Sequence, residues 1–147
     1  MATWRAAALA AIAWLPAMPA LALDYRSVSE AAPVFDAPSA KSRPLHVIFA
    51  GTPVEVVVSI EGWSKVRDGK GDLVWIEKKH LADKRTLMVR VDRAQVRAAA
   101  ADNAALVFEA ERDVVLQLEE AGPPGWARVR HRDGQSGFVA VAQVWGL

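Results

Sequence analysis

The chain has 147 residues, the length of one ordinary domain or two very small ones. Hydrophobic residues make up 52% of it, which favours a folded core over disorder. The 18 basic and 17 acidic residues nearly balance, which argues against a nucleic-acid-binding protein with a basic surface. Cys is absent, which excludes disulfides, thiolate metal sites, cysteine nucleophiles and a lipid-modified N-terminal Cys.

Residues 1–22 have the three parts of a secretory signal peptide. Arg5 is their only charge, residues 6–15 form an apolar stretch, and residues 20–22 (ALA) supply the small side chains that signal peptidase accepts. The apolar stretch is about ten residues long, far short of the roughly 20 that span a bilayer. We therefore predict cleavage after Ala22, a periplasmic or secreted protein, and no stable membrane insertion. An uncleaved membrane anchor is the alternative.

The remaining chain contains an internal repeat. Residues 62–67, GWSKVR, return as residues 125–130, GWARVR, at an offset of 63 residues. A period of this length is too long for the repeat of a solenoid and suits two tandem small domains. We predict these domains at residues 23–86 and 87–147.

Upstream of this motif the two copies align less well. Residues 53–56, PVEV, are paired with residues 113–116, DVVL, and this pairing needs gaps. In the first copy, Val54, Val56 and Val58 alternate with the residues between them. This period of two predicts a strand with one face buried.

The rest of each copy also indicates strands joined by tight turns. The first copy has predicted strands at residues 63–67 and 74–77, joined by the turn at residues 68–71, DGKG. The second copy has predicted strands at residues 114–118, 126–130 and 137–141, with a turn at Asp133-Gly134. Residues 86–91 are predicted to form a strand that leaves the first copy and enters the second. The alanine run at residues 98–101 is predicted to be a loop, because it lies where the repeat has one.

This order of motifs resembles the bacterial Src-homology-3-like (SH3b) domain family over residues 30–147. The matching residues of the first copy are 51–56 (GTPVEV), 62–63 (GW), 65–66 (KV), 68–69 (DG), 75–76 (WI) and Leu81. Those of the second copy are 96–97 (VR), 125–126 (GW), 128–129 (RV), 133–134 (DG) and 137–139 (GFV). The chain departs from the family pattern at Val74, where the family has Gly, at Phe138, where it has Trp, and at residues 34–35 (VF), where it has an apolar-Arg pair.

The resemblance implies an all-β protein of two tandem small SH3-like barrels, each with five strands, and no substantial helix after the signal peptide. Such barrels usually bind rather than catalyse, and many are attached to cell-wall hydrolases, where they target peptidoglycan. No hydrolase domain is visible in this sequence.

The first candidate binding residues lie in the repeated motif. If Val66 faces the core, alternation places Trp63, Lys65 and Arg67 outward. A Trp can stack on a sugar face or a proline, and an Arg can clamp a carboxylate. The alternative for Trp63 is a packing residue that covers the open end of a small core.

The same argument applies to the second copy. If Val129 faces the core, alternation places Trp126, Arg128 and Arg130 outward. The two remaining tryptophans after the signal peptide, Trp75 and Trp145, are expected to be packing residues.

Other polar residues give weaker signals. His46, His80 and His131 do not have the spacing of metal ligands, so we predict no metal site and no cofactor. Glu119 and Glu120 are adjacent, would point to opposite faces of a strand, and are expected to lie in a solvated loop. The basic residues 78–79 (KK) and 84–85 (KR) form either a solvated face or a contact with an anionic polymer or lipid head group.

These observations favour an exported, non-catalytic binding module of the bacterial envelope. Its predicted partner is an envelope protein, a peptide or a peptidoglycan fragment, and no nucleic acid. The alternative is a structural or assembly scaffold in an envelope complex. An enzyme is the least favoured class, because no nucleophile–base pair or metal set is visible.

Overall fold

The computed structural model describes residues 22–147. The predicted signal peptide therefore lies outside the described residues except for Ala22, which is exposed. In the part of the chain that the structure describes, no helix is long and apolar enough to cross a membrane.

Between residues 22 and 147 the chain forms fourteen strands, which fall into two consecutive sets of seven. The first set is β1 (Asp24–Val28), β2 (Ala32–Phe35), β3 (Pro44–Ile48), β4 (Pro53–Ile60), β5 (Trp63–Arg67), β6 (Leu73–Glu77) and β7 (Leu81–Ala82). The second set is β8 (Thr86–Val89), β9 (Arg93–Arg97), β10 (Leu106–Glu111), β11 (Val115–Ala121), β12 (Trp126–Arg130), β13 (Ser136–Ala140) and β14 (Val144–Trp145).

Each set forms one antiparallel sheet with the same strand order. The orders are β3-β2-β6-β5-β4-β1-β7 and β10-β9-β13-β12-β11-β8-β14, so every strand of the first sheet has its counterpart seven strands later. A single sheet that encloses its own core is a barrel, and we name the two units the first and second barrel. The predicted tandem all-β architecture is confirmed.

The described residues contain only two helical segments, the short 3-10 helices Lys78–His80 and Val141–Gln143, each just before the last strand of its barrel. The alanine run at residues 98–101 is a loop, as predicted. Each sheet has seven strands where the resemblance implies five. The difference lies at the ends of the sheets, where β3 and β7, like β10 and β14, each pair with a single neighbour.

The second sheet begins at Thr86, one residue before the predicted domain boundary. Thr86 pairs with Gln117 of β11. Strand β8 therefore belongs wholly to the second barrel. We had expected residues 86–91 to form a strand that leaves the first copy and enters the second, and β8 does not do this.

Side chains on one face of each strand fill the two cores. The first core is formed by Val28, Ala32, Val34, Ile48, Val54, Val66, Val74 and Ile76. The second is formed by Leu87, Val89, Ala94, Val96, Ala110, Leu116, Ala127, Val129, Val139 and Val144. Val66 and Val129 are both 0% exposed, which confirms the register predicted from the repeated motif.

The predicted alternation along β4 is wrong beyond Val56. The pairing of β4 with β5 shifts between Val56 and Val58, which marks a β-bulge. A bulge places two residues opposite one and turns the following side chains to the other face. Val57 and Val58 are consequently both 42% exposed.

The turn before β4 also corrects the predicted alignment of the two copies. Gly51 has φ +83° and its N–H donates to Val28, whereas Asp113 has φ +69° and its N–H donates to Val89. Gly51 and Asp113 therefore occupy equivalent positions, and Pro53 corresponds to a residue two positions after Asp113. The sequence hides this match, because Asp replaces Gly at a left-handed position that it tolerates better than most residues.

Three side chains lie together where the two barrels meet, Tyr25, Arg85 and Trp145, and we name them the inter-barrel contact. The rings of Tyr25 and Trp145 meet edge to face, with centroids 5.3 Å apart. The guanidinium of Arg85 lies 5.4 Å from the centroid of the Tyr25 ring, and its Nη2 donates to the carbonyl of Gly146 at 2.7 Å. Burial raises the pKa of Tyr25, and the negative charge of Glu55 raises it further. Trp145 thus has the packing role expected of it.

Two further contacts between the barrels extend this junction. The Thr86 hydroxyl donates to the carbonyl of Gly51 at 2.6 Å, which joins the second barrel directly to the first. A Cβ placed on Gly69, in a turn of the first barrel, would lie 3.6 Å from both Met88 Sδ and the Trp145 ring. The turn of one barrel therefore lies against the outer side of the other.

Val66→Asp and Val129→Asp should each abolish the cooperative melt of the barrel that contains the substitution. Each change places an unpaired charge in a closed core, at a cost of more than about 4 kcal/mol. Val58→Asp is the matched control, because Val58 is exposed and should tolerate the same substitution. Circular dichroism melts test this prediction, and normal melts for both core variants would contradict the register.

Candidate binding face

Strand β5 carries the first three candidate binding residues on one outward face. Ser64 and Val66 point inward, with exposures of 1% and 0%. Trp63, Lys65 and Arg67 alternate with them and point outward, as predicted. Strand β5 lies between β4 and β6, so these three side chains stand in the middle of the sheet rather than at its edge.

Two further aromatic residues lie beside Trp63 and Lys65, and we name these four residues the aromatic face: Phe35, Trp63, Lys65 and Trp75. The ring of Trp63 meets that of Phe35 edge to face, with centroids 5.5 Å apart. Trp75 pairs with Phe35 on one side and with Lys65 on the other, and the Lys65 ammonium lies 5.9 Å from the centroid of the Trp75 ring. Phe35 is buried, whereas both tryptophans are half-buried and keep part of their surface exposed.

Sequence reasoning missed Phe35 and assigned Trp75 to packing alone. The signal for Trp75 was present, because the tight turn at residues 68–71 places Trp75 directly opposite Lys65. Phe35 had no such signal, since it reaches this face only through the pairing of β2 with β6. The face therefore contains a packing pair, Trp63 on Phe35, and a half-buried pair, Lys65 and Trp75.

Arg67 stands at the end of this surface and has an internal partner. Its Nη1 lies 3.6 Å from Glu55 Oε2 on the neighbouring strand. Arg67 is exposed, and ion pairs of this kind contribute about 0–1 kcal/mol. A ligand carboxylate would therefore compete with Glu55 for Arg67, and the competition costs little.

The equivalent arginines of the second barrel are held more firmly. Trp126, Arg128 and Arg130 point outward, as predicted. Glu119 accepts from Arg130 Nε at 2.6 Å and lies 3.1 Å from Arg128 Nε, while Glu120 accepts from Arg128 Nη1 at 3.3 Å. Two carboxylates therefore neutralise two arginines in one network.

The expectation for Glu119 and Glu120 was wrong in two respects. Both lie in strand β11 rather than in a loop. The register of β11 against β12 shifts between Leu118 and Glu120, and this bulge lets adjacent carboxylates reach the same side chain, Arg128. Strict alternation had predicted opposite faces.

The surroundings of Trp126 also differ from those of Trp63. Phe138 pairs with Arg128, where the first barrel has Trp75, and Arg97 pairs with Phe138, where the first barrel has Phe35. Arg97 donates to the carbonyl of Ala104 at 2.9 Å and to Gln95 Oε1 at 2.6 Å. The second barrel therefore presents arginines that already have partners, and the two faces are not equivalent.

The three histidines differ in their surroundings. His80 Nδ1 is 3.1 Å from Glu30 Oε1, His131 Nδ1 is 3.1 Å from Asp133 Oδ2, and His46 is exposed on β3. The Gln135 N–H and, less strongly, the His131 ring lower the pKa of Asp133. Within residues 22–147, no group of three His, Asp or Glu side chains is placed to hold a metal ion.

Comparison with known families now adds to this geometry. The model of the bacterial SH3 domain matches the chain twice, at residues 28–83 and 90–146. The chain belongs to the bacterial SH3 domain family. Bacterial SH3 domains are binding modules. The first matched segment covers β2 to β7 of the first barrel, and the second covers β9 to β14 of the second barrel.

Several solved structures resemble the chain at low identity. NlpC2 from Trichomonas vaginalis is 13% identical, with a TM-score of 0.39 over 86% of this chain and 49% of that one. NlpC1 from the same organism is also 13% identical, with a TM-score of 0.39 over 95% and 51%. An NlpC/P60 family protein from Bacillus cereus is 14% identical, with a TM-score of 0.37 over 83% and 56%. The chain thus spans about half the length of these proteins, and no curated protein matches it.

Proposed function

We propose that the protein is an exported, non-catalytic binding module of the bacterial envelope. In this proposal it recognises a protein, peptide or peptidoglycan fragment through the aromatic face of the first barrel. The observation that carries the proposal is the half-buried Trp63 on a sheet face. It lies beside Lys65, whose ammonium is over the Trp75 ring.

The chemistry of the aromatic face suits a ligand with an apolar surface and an acidic group. The exposed parts of two indoles offer flat apolar area that can stack on a sugar ring or a proline. Lys65 lies on the same face, and Arg67 stands next to it, so a ligand carboxylate would find cations within the same surface. A peptide terminus or a wall stem peptide combines these two features.

The first barrel is favoured over the second because its cations are more available. Lys65 has no acidic partner within ion-pair distance among the described residues, and Arg67 has a single one at 3.6 Å. Arg128 and Arg130 instead share Glu119, so a ligand acid would have to displace an existing network. We therefore place the primary contact on the first barrel.

A non-catalytic role is supported by the state of the groups that could act as acids or bases. Glu119 and Glu120 are neutralised by arginines. His80 pairs with Glu30, and His131 pairs with Asp133 of its own turn. These pairings give the side chains a structural role. Within residues 22–147, no set of several carboxylates and histidines is directed at a common point.

Export is a further part of the proposal and rests on the signal-peptide pattern of residues 1–22. Mass spectrometry of the protein recovered from the envelope fraction should show Leu23 as the first residue. An intact Met1 form in the membrane fraction would contradict export with cleavage.

Trp63→Ala should weaken binding to purified sacculi, or to the protein enriched from a periplasmic extract, by about 1–3 kcal/mol, the range of an interface anchor. Trp63→Phe should retain the packing on Phe35 and most of the melting temperature while losing part of this affinity. Binding is measured by pull-down with the mature protein, and melting by circular dichroism on the same samples.

Trp126→Ala is the matched control for this experiment, because it removes the equivalent ring from the other barrel. We expect it to weaken binding less than Trp63→Ala. If Trp63→Ala binds like the wild type, or if Trp126→Ala has the larger effect, the ligand does not bind on the aromatic face.

One observation favours the scaffold function as a second candidate. Strand β3 lies at one edge of the first sheet and exposes Leu45 and Val47, and Phe49, just after its end, is 76% exposed. The second barrel has Glu109 and Glu111 at the positions of Val47 and Phe49. An apolar sheet edge can accept a strand from a partner protein, and charges on such an edge prevent this.

Phe49→Glu tests the scaffold function, since it gives the first barrel the residue type that the second already has. The variant should melt like the wild type, because Phe49 is exposed. If the edge docks a protein, the variant should lose envelope proteins from a pull-down while keeping any affinity for sacculi. An unchanged set of captured proteins would rule out docking at this edge.

A further inference from the structure

A cleft of about 460 Å³ lies where the two barrels meet. Gly51 lines it from the first barrel, and Lys84 lines it from the connection between the barrels. Gln117, Arg130 and Arg132 are among the lining residues of the second barrel. No residue of the aromatic face takes part.

Local structure explains why these side chains converge. The connection between β7 and β8 is only three residues, Asp83 to Arg85, and its middle residue is Lys84. Gln117 pairs with Thr86 on one side and with Arg130 on the other, so the outer face of three neighbouring strands forms one wall. The hydrogen bond from Thr86 to Gly51 brings the first barrel against this wall.

The carboxylates near the cleft are already engaged. Glu119 pairs with Arg130, and Asp133 pairs with His131. Asp83, the neighbour of Lys84 in sequence, pairs with Arg26 on the first barrel. Arg26 and His131 therefore hold two of the acids that could otherwise neutralise the cleft.

Two cations remain without a counter-charge. Within the described residues, Lys84 and Arg132 have no carboxylate within ion-pair distance, and both are exposed. With His131 neutral, the three cations Lys84, Arg130 and Arg132 and the two nearby carboxylates of Glu119 and Asp133 give a net formal charge of +1 at the cleft.

A second surface depression lacks this excess of positive charge. Asp92, Arg93, Glu111 and Arg112 line that depression, and Arg112 Nη2 lies 2.8 Å from Asp92 Oδ1. Acids and bases are equal in number there. Charge complementarity therefore favours the cleft between the barrels over this depression for an anionic ligand.

We propose that the cleft binds a carboxylate carried by an extended acidic peptide. The guanidinium of Arg132 can hold a carboxylate with two parallel hydrogen bonds, and Lys84 adds a second charge. The single excess charge matches a monoanion, and the Gln117 amide offers a donor and an acceptor for the adjacent peptide backbone. This site is separate from the aromatic face, so it stands or falls independently of the function proposed above.

The test uses the mature protein and a short fluorescent oligoglutamate peptide, with an oligoglutamine peptide of equal length and a polyphosphate chain of equal charge as comparisons. Fluorescence anisotropy should show binding of oligoglutamate that weakens with salt, and little binding of oligoglutamine. Lys84→Gln with Arg132→Gln should lower the oligoglutamate affinity roughly tenfold, as expected for losing two exposed charge-assisted contacts. Gln117→Glu should lower it as well, because it adds a carboxylate to the cleft.

Lys41→Gln with Lys78→Gln is the matched control. It removes the same two charges from exposed positions of the first barrel that do not line the cleft. We expect its affinity to stay within about twofold of the wild type, because remote exposed charges are screened. Amide chemical shifts should move at Gly51, Gln117 and Gly134 when oligoglutamate is added.

Three results would overturn the proposal. An equal loss in the control pair would mean that net charge alone attracts the peptide. Equal binding of oligoglutamine would mean that no carboxylate is recognised. Preferred binding of polyphosphate that is lost in the cleft variant would identify a phosphate site instead.

Discussion

The inter-barrel contact of Tyr25, Arg85 and Trp145 determines how the rest of the molecule is arranged. Arg85 belongs to the short connection, lies against the Tyr25 ring of the first barrel, and donates to Gly146 near the end of the second. This holds the connection in place, and with it Lys84 at the cleft. Barrels of about sixty residues are near the lower limit of independent stability, so surface buried between them stabilises both.

The inter-barrel contact also has an energetic cost at Arg85. Arg85 Nε is buried and makes no hydrogen bond in the part of the chain described. Leaving a buried donor without a partner is unfavourable by about 1–3 kcal/mol. The hydrogen bond from Arg85 Nη2 to Gly146 and the cation–π contact with Tyr25 act against that cost.

The two copies keep the same core and differ in their surfaces. Val66 and Val129 occupy the same buried position, and the strand orders are identical. Outside the core, Trp75 of the first barrel is replaced by Phe138 and its exposed Phe49 by Glu111. Each surface is therefore free to serve a different contact, with stacking on the first barrel and ion pairing on the second.

The fold could be predicted from the sequence because its signals are local. The repeated motif around Val66 and Val129, with the tight turn after it, set the strands, their register and the outward position of Trp63. The sequence could not show the bulges in β4 and β11, since a bulge depends on the pairing of two strands and not on one segment. Asp113 hid the true alignment for a similar reason, because only its φ of +69° reveals its equivalence to a glycine.

The binding surfaces were only partly predictable. Trp63 and Lys65 follow from alternation along one strand, whereas Phe35 joins them through a neighbour distant in sequence. The cleft depends on contacts between domains, which no pattern within one copy encodes. Lys84 appeared in the sequence only as part of a small basic cluster.

The central inference, a ligand cleft between the barrels, requires that the two barrels keep one fixed arrangement. Amide nitrogen-15 relaxation of the mature protein measures this most directly. The account predicts that amides of both barrels report one shared rotational correlation time, that of the whole molecule. Two different and shorter correlation times, one for each barrel, would contradict it.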